Sequence, residues 1–93
     1  MQGYDGDKAK ILARLRRVEG QVHAVAQMVE DDVYCIDVLT QISAATSALK
    51  ALSVMLVDDH LNHCVRQAAA EGGEVADEKL SEVEKVISRL VRS

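Results

Sequence analysis

Two thiols and one imidazole, those of Cys35, Cys64 and His60, are the side chains of this sequence best suited to bind a metal ion. His60 and Cys64 lie four residues apart in a segment with helical character, so both donors would project from one helical face. Two thiolates and an imidazole form a soft donor set, which favours Cu(I) and zinc among the biological metals. Structural zinc prefers four ligands and the sequence offers no obvious fourth, so a three-coordinate site suits Cu(I) better.

The separation of the two cysteines indicates a site that is shared between chains. Cys35 precedes Cys64 by 29 residues on what reads as one helix, which at about 1.5 Å per residue separates them by roughly 43 Å. If that helix is unbroken, one chain can neither close all three donors around an ion nor join the two thiols in a disulfide. Two antiparallel chains can close the site, because the Cys35 end of one helix then meets the His60 end of the other. A cysteine in a helix is also common as a small buried apolar residue, so the prediction depends on the spacing.

The composition predicts an all-α chain. Its 93 residues include no Pro and only two aromatic residues, and 48% of them are hydrophobic. We predict a single domain over residues 1–93, with a very long central helix between two shorter ones and an Asp31 or Asp32 N-cap before that central helix. The predicted helices span about 7–29, 33–70 and 77–92. A small core poor in aromatic side chains would bury little surface, so we expect other copies of the chain to cover it.

Positive charge is concentrated near the start of the sequence. The net charge is −4, yet five basic residues and no acidic residue lie between Lys8 and Arg17. A solvated basic face is the ordinary explanation, and a nucleic-acid surface governed by phosphate contacts is the functional one. Lys8, Lys10, Arg14 and Arg17 are predicted to share much of one helical face. The full set of DNA-contact candidates is Lys8, Lys10, Arg14, Arg16, Arg17 and Lys50.

The sequence lacks the usual signals of membrane insertion and export. No run of 18 apolar residues occurs, and residues 1–10 are polar and contain no signal-peptide core. We therefore expect a cytoplasmic protein that does not span a membrane. Two cysteines in a reducing compartment are more often ligands or reactive thiols than a structural disulfide.

Three segments carry a resemblance to a known family. They read RLRRVEGQV at 14–22, YCIDVLTQIS at 34–43 and DHLNHCV at 59–65. They resemble the first-helix signature, the start of the second helix and the ligand segment of the CsoR/RcnR family of metal-sensing transcriptional repressors. The resemblance implies a three-helix protomer, an antiparallel dimer, and a disc-shaped tetramer made of two dimers.

The resemblance also implies a function and a ligand set. It implies Cu(I) bound by Cys35 of one protomer and by His60 and Cys64 of its partner. It implies a repressor that binds operator DNA without metal and releases it on binding Cu(I), so that copper-export genes are expressed. Beside the ligands, copper sensors have a Tyr next to the first Cys, which matches Tyr34, and a Glu on the third helix. Glu82 is our choice for that Glu, followed by Glu78.

The ligand positions distinguish this chain from other branches of the family. Copper sensors resemble it at all three donors, whereas nickel and cobalt sensors add an N-terminal His that residues 1–10 lack. Formaldehyde sensors lack the cysteine at position 64, and persulfide sensors lack the histidine at position 60.

Two other functions remain open at this stage. In a thiol-based persulfide or redox sensor, Cys35 and Cys64 would crosslink between protomers and His60 would be dispensable. A cytosolic copper-buffering protein would not need the basic cluster from Lys8 to Arg17. We expect no catalytic residues, because no Gly-rich loop or acid–base constellation accompanies the Cys–His pair that a small enzyme would use.

Overall fold

The chain is helical almost throughout the part that the structure describes. The structure is a computed structural model, and it describes residues 4–92. A 3₁₀ turn at Asp5–Asp7 leads into α1 (Lys8–Glu30), which is followed by α2 (Cys35–Glu71) and α3 (Gly73–Arg92). Residues 4–92 include no strand, so the predicted all-α class and the long central helix are confirmed.

Residues 9–52 form one compact unit, which comprises most of α1, the turn that follows it and the first half of α2. Its buried side chains are Ile11, Val18, Ala45 and Leu52. Ile11 and Val18 are seven residues apart, which is the heptad-like spacing that places side chains on one face of a helix. Val29, on the same apolar stripe, is 60% exposed, so the protomer buries only part of that stripe.

The connection between α1 and α2 corrects one prediction. Asp32 has a φ of 55° in the left-handed region, and the N–H groups of Asp32 and Val33 donate back to carbonyls of the last turn of α1. This bonding pattern closes helix C-termini, usually with Gly, and Asp tolerates the conformation better than most other residues. The prediction that Asp31 or Asp32 caps α2 is therefore wrong. The backbone carbonyl of Tyr34 accepts hydrogen bonds from the N–H groups of Asp37 and Val38, the third and fourth residues of α2.

The second compact unit comprises residues 53–92 together with residues 4–8. Within it, the last part of α2 packs against α3. Val65, Ala68 and Val83 are buried there. The unit therefore contains the segment from 59 to 65 that carries two of the three predicted metal ligands.

The α2 helix changes type within this unit. Cys35–His60 is α-helical, Leu61–Val65 forms a π-helical turn, and Arg66–Glu71 returns to α-helix. The N–H of Arg66 donates to the carbonyl of Leu61, the five-residue bond that defines a π turn. Single π turns inside α-helices occur frequently at functional sites.

Two glycines shorten the connection between α2 and α3 to one residue. Gly72 has a φ of 75° and Gly73 a φ of 68°, values that residues with a side chain rarely adopt. The Gly72 N–H donates to the Ala68 carbonyl at 3.1 Å, which closes the end of α2. Because the chain reverses within these two residues, α3 begins at Gly73 rather than near Asp77 as predicted.

Much of the apolar surface of α2 is not covered by its own chain. By length and composition, Cys35–Glu71 could cross a membrane, a test that the core helix of a soluble protein also passes. Its most apolar 18-residue window is only 11% buried. Val54 is 65% exposed, and Ile36 and Leu39 are more than half exposed. Much of this apolar surface is therefore exposed in a single chain.

Candidate metal centre and nucleic-acid interface

His60 and Cys64 line one groove. His60 is the last residue of the α-helical part of α2, and Cys64 is the fourth residue of the π turn. Both side chains are half-buried. The groove is completed by Gln67, Ala68 and Glu71 from α2 and by Val75 and Lys79 from α3. The structure therefore places the imidazole and the second thiol at one site, although the turn between them is not the regular α-helix that the spacing predicted.

Cys35 is the first residue of α2, is exposed, and does not line this groove. Neither cysteine forms a disulfide within residues 4–92. Over the same residues, no group of three or more His, Cys, Asp or Glu side chains is placed to hold a metal ion. The described part of one chain thus brings two of the three predicted donors, His60 and Cys64, to one groove.

His60 also lines a second, largely apolar cavity of about 460 Å³. The polar residues that line this cavity are Tyr4, Ser53, His60 and Glu82. A carboxylate oxygen of Glu82 lies 3.7 Å from the ammonium nitrogen of Lys79, which itself lines the groove of His60 and Cys64. Glu82 and His60 are therefore brought to one cavity.

The other two supporting candidates lie elsewhere. Glu78 is exposed and lines neither the groove nor the cavity. Tyr34 is 70% exposed. Of the two candidate acids on α3, the structure thus brings only Glu82 to the surroundings of His60.

Asp59 is a buried carboxyl group that the sequence did not single out. It is 7% exposed, and one of its carboxylate oxygens has no hydrogen-bond partner within residues 4–92. Burial raises the pKa of Asp59 above its ordinary value of 3.8, and a hydrogen bond with Asp7 and the negative charge of Asp7 raise that pKa further. The charge of His63 acts in the opposite direction. Only the acidic pair at 58–59 could have signalled this cluster, and Asp58 is exposed.

We expect Asp59→Asn to stabilise the protein at neutral pH. The raised pKa means that the folded state binds a proton more readily than the unfolded state, so ionised Asp59 lowers stability once the pH exceeds its folded pKa. The advantage of the amide should therefore be largest at neutral pH and should shrink as the pH falls toward 3.8. Thermal unfolding of both proteins across this pH range measures the difference.

The control for this prediction is Asp58→Asn, which removes the same charge from an exposed neighbour and should change the melting temperature little. A melting-temperature difference between wild type and Asp59→Asn that stays constant with pH would contradict the prediction.

The DNA-contact candidates all have exposed side chains. An α-helix turns by about 100° per residue, so Lys10, Arg14 and Arg17 share one side of α1, within an arc of about 60°. Arg16 projects from a different side, and Lys8, the first residue of α1, falls outside this arc. The grouping of Lys8 with the other three is therefore corrected, because its position in the helical repeat differs from theirs.

The family profile that matches this chain and two of its sequence relatives are those of metal-sensitive or copper-sensing transcriptional repressors. The profile of the metal-sensitive transcriptional repressor family matches residues 7–89. The copper-sensing transcriptional repressor RicR of Mycobacterium tuberculosis strain H37Rv is 59% identical over 91 residues, which cover 98% of this chain and 95% of that protein. The copper-sensing transcriptional repressor CsoR of Bacillus subtilis strain 168 is 44% identical over 84 residues, covering 89% of this chain and 83% of the relative.

A solved structure agrees with these sequence relatives. The crystal structure of the copper-sensing repressor CsoR with Cu(I) from Geobacillus thermodenitrificans NG80-2 superposes with a TM-score of 0.86 at 42% identity. The superposition covers 94% of this chain and 88% of that chain. The family is one of repressors rather than enzymes, in agreement with the expectation of no catalytic residues. The fold, the extent of the chain that these matches cover and the sequence identities establish that the chain belongs to the family of metal-sensitive transcriptional repressors.

Proposed function

We propose that this protein is a Cu(I)-responsive transcriptional repressor. Without metal it binds operator DNA, and on binding Cu(I) it releases the operator, so that copper-export genes are expressed. The observation that carries the proposal is the pairing of His60 with Cys64 in one groove, within a chain whose close relatives are named copper-sensing repressors. A thiolate and an imidazole side by side suit a soft monovalent ion such as Cu(I).

The third donor in this proposal is Cys35 of a neighbouring chain. Its thiol is exposed at the first residue of α2, whereas His60 and Cys64 belong to the opposite end of the same helix. In an antiparallel pair of α2 helices, Cys35 of one protomer would meet His60 and Cys64 of the partner subunit. When bound, Cu(I) would link the two protomers through these soft donors. The protein residues position the donors, and Tyr34 lies beside the first of them.

Assembly also accounts for the exposed apolar surface of α2. Burial of apolar surface contributes about 25 cal/mol per Å² to the free energy of folding or association. The exposed apolar side chains along α2 do not make this contribution in one protomer but could make it in an interface between chains. We propose an antiparallel dimer that pairs into a disc-shaped tetramer, acting in the cytoplasm with no membrane partner. Extended exposed apolar surface of the kind seen along α2 is typical of an interface between subunits.

Glu82 would couple the metal site to α3. It shares a cavity with His60, and one of its two carboxylate oxygens lies 3.7 Å from the Lys79 ammonium, so the other oxygen could accept a hydrogen bond from the imidazole. With Cu(I) on one ring nitrogen, the other nitrogen of His60 would be the hydrogen-bond donor, and loss of an outer partner of this kind typically costs about 10–100-fold in metal affinity or activity. A movement of α3 toward His60 would then accompany Cu(I) binding.

We expect Glu82→Gln to uncouple Cu(I) binding from DNA release. The variant should still bind Cu(I), but the loss of operator affinity on metal binding, an allosteric coupling of about 1–3 kcal/mol in typical proteins, should be much reduced. Fluorescence anisotropy of labelled operator DNA with and without Cu(I) measures that coupling. Glu78→Gln is the matched control on the same helix and should behave as wild type. Equal coupling in Glu82→Gln and wild type would exclude this role.

The decisive experiment for the function combines metal binding with DNA binding. Anaerobic Cu(I) titration should saturate at one ion per chain, with X-ray absorption showing two sulfur ligands and one nitrogen ligand. The same titration should lower the affinity for a duplex selected by the metal-free protein from a random-sequence pool. Unchanged DNA affinity after Cu(I) saturation would refute the repressor mechanism. A persulfide or redox sensor would instead respond to oxidised sulfur without His60, and a buffering protein would bind Cu(I) without binding DNA.

A further inference from the structure

The exposed side of α3 carries a second group of positive charges. Lys85, Arg89 and Arg92 are all exposed and border one shallow surface depression, together with Ser81, Ser88 and Glu84. At about 100° per residue the three cations fall within an arc of about 60°, and they span about 10 Å of the helix axis. We call these three residues the α3 basic stripe.

The opposite side of α3 is used for packing. Val83 is buried, Leu90 is half-buried, and both line the apolar cavity that also contains His60. The α3 basic stripe therefore faces away from the surface that holds α3 against the rest of its unit. All three residues of the stripe remain exposed in the protomer.

Stabilisation of the helix explains only part of the stripe. Arg89 and Arg92 lie in the last turn of α3, where positive charge interacts favourably with the helix dipole, and Arg92 Nε donates to the Ser88 carbonyl at 3.3 Å. Lys85 lies seven residues before Arg92, beyond the last turn in which the dipole acts. Within residues 4–92, Lys85 takes part in no ion pair. An exposed Lys85 in line with two arginines fits an external anion better than an internal role.

From this arrangement we infer that the α3 basic stripe is a second contact surface for the phosphate backbone of DNA, separate from the cations of α1. The inference rests on the proposed function, because it takes DNA as the partner. Three cations over about 10 Å of helix are close enough together to contact neighbouring phosphates of one strand, whose charges recur about every 3.4 Å along the duplex axis. Contacts to phosphate carry no sequence information, so the stripe would strengthen binding to any duplex and orient the repressor on it.

The test measures DNA affinity as a function of salt for the full-length protein. Neutralising the stripe (Lys85→Gln, Arg89→Gln and Arg92→Gln together) should lower affinity about tenfold or more, both for a duplex selected by the wild-type protein and for a random-sequence duplex. The slope of log affinity against log salt should fall by about 1 for each residue that contacts a phosphate. The charge-conserving set Lys85→Arg, Arg89→Lys and Arg92→Lys should retain wild-type affinity.

Two further variants separate the stripe from a general effect of net charge. Glu84→Gln removes the acidic group at the edge of the depression and should raise DNA affinity, whereas Glu74→Gln, on the same helix about 15 Å away, should not. Arg66→Gln removes an exposed cation from α2 and should leave affinity unchanged.

The possible outcomes are distinguishable. If wild type binds DNA but the neutralised stripe binds equally well with the same salt slope, the inference is wrong and the proposed function stands. If Arg66→Gln weakens binding as much as Arg89→Gln, general electrostatics replaces the stripe. Binding to phosphatidylglycerol vesicles is measured in parallel with DNA binding. If neutralising the α3 basic stripe weakens binding to these vesicles but not to DNA, a membrane surface is the partner and the inference is overturned. If wild type binds no DNA, the proposed function fails first.

Discussion

A mixture of Cys35→Ala and Cys64→Ala chains should bind Cu(I) tightly, although neither variant should do so alone. Each variant removes one thiol from every site, and loss of a ligand should cost more than the roughly 10–100-fold that loss of an outer partner costs. In a mixed antiparallel dimer, the Cys64→Ala chain supplies Cys35, and the Cys35→Ala chain supplies His60 and Cys64. One of the two sites is then intact, so random mixing restores about a quarter of the wild-type capacity.

The chain offers a matched control for this mixing experiment. His60→Ala and Cys64→Ala remove donors from the same half-site, the groove in which the two side chains lie together. A mixture of these two variants contains no chain with an intact groove, so it should not recover Cu(I) binding. The two mixtures are compared by anaerobic competition with a Cu(I) chelator after unfolding and refolding together. Recovery in both mixtures, or in neither, would contradict a site shared between protomers.

Loss of the α1 cations should have the second large effect. Replacing Lys10, Arg14 and Arg17 by Gln removes three exposed charges from one side of α1 in every subunit of an oligomer. A protein that makes 6–10 phosphate contacts loses about 10³–10⁵ in affinity when salt rises fourfold, so losing a repeated set of contacts should cost at least about 100-fold. The metal-free affinity for the selected duplex, measured at fixed salt, tests this expectation, and Cu(I) binding should remain normal.

Position on the helix provides the control for this second prediction. The pair Arg14→Gln and Arg17→Gln changes the net charge as much as the pair Lys8→Gln and Arg16→Gln, whose residues lie outside the arc of about 60°. The first pair should weaken binding far more than the second. Equal losses would show that the basic segment acts through total charge rather than through one face of α1.

Periodicity explains which features could be predicted from the sequence. The absence of Pro and the apolar composition predicted an all-α chain with one long helix, and the four-residue spacing of His60 and Cys64 predicted their shared face. These features depend on local helical geometry, which a sequence pattern reports directly. The same geometry predicts that two chains together supply the three donors to each metal ion, and this stays a prediction.

Features that depend on tertiary contacts or on rare backbone conformations were not predictable. No Pro or Gly marks the π turn at Leu61–Val65, so the sequence resembles ordinary α-helix there. Asp59 and Asp58 form one acidic pair in the sequence, and only packing near Asp7 distinguishes Asp59 from Asp58. Asp32 was assigned to the wrong helix end because an acidic residue suits an N-cap, whereas its positive φ closes the preceding helix.

The single-residue junction at Gly72 has a mechanical consequence. Glycine at 72 and 73 permits swivelling about the backbone, but one residue provides no spare length between Glu71 and the first turn of α3. A translation of the Cys64 end of α2 along the helix axis must therefore move α3 as well. A change in the angle between α2 and α3 can instead be accommodated by the backbone dihedrals of the two glycines. Inserting a few flexible residues after Gly72 should uncouple the movement of α3 from that of α2 and leave each helix intact.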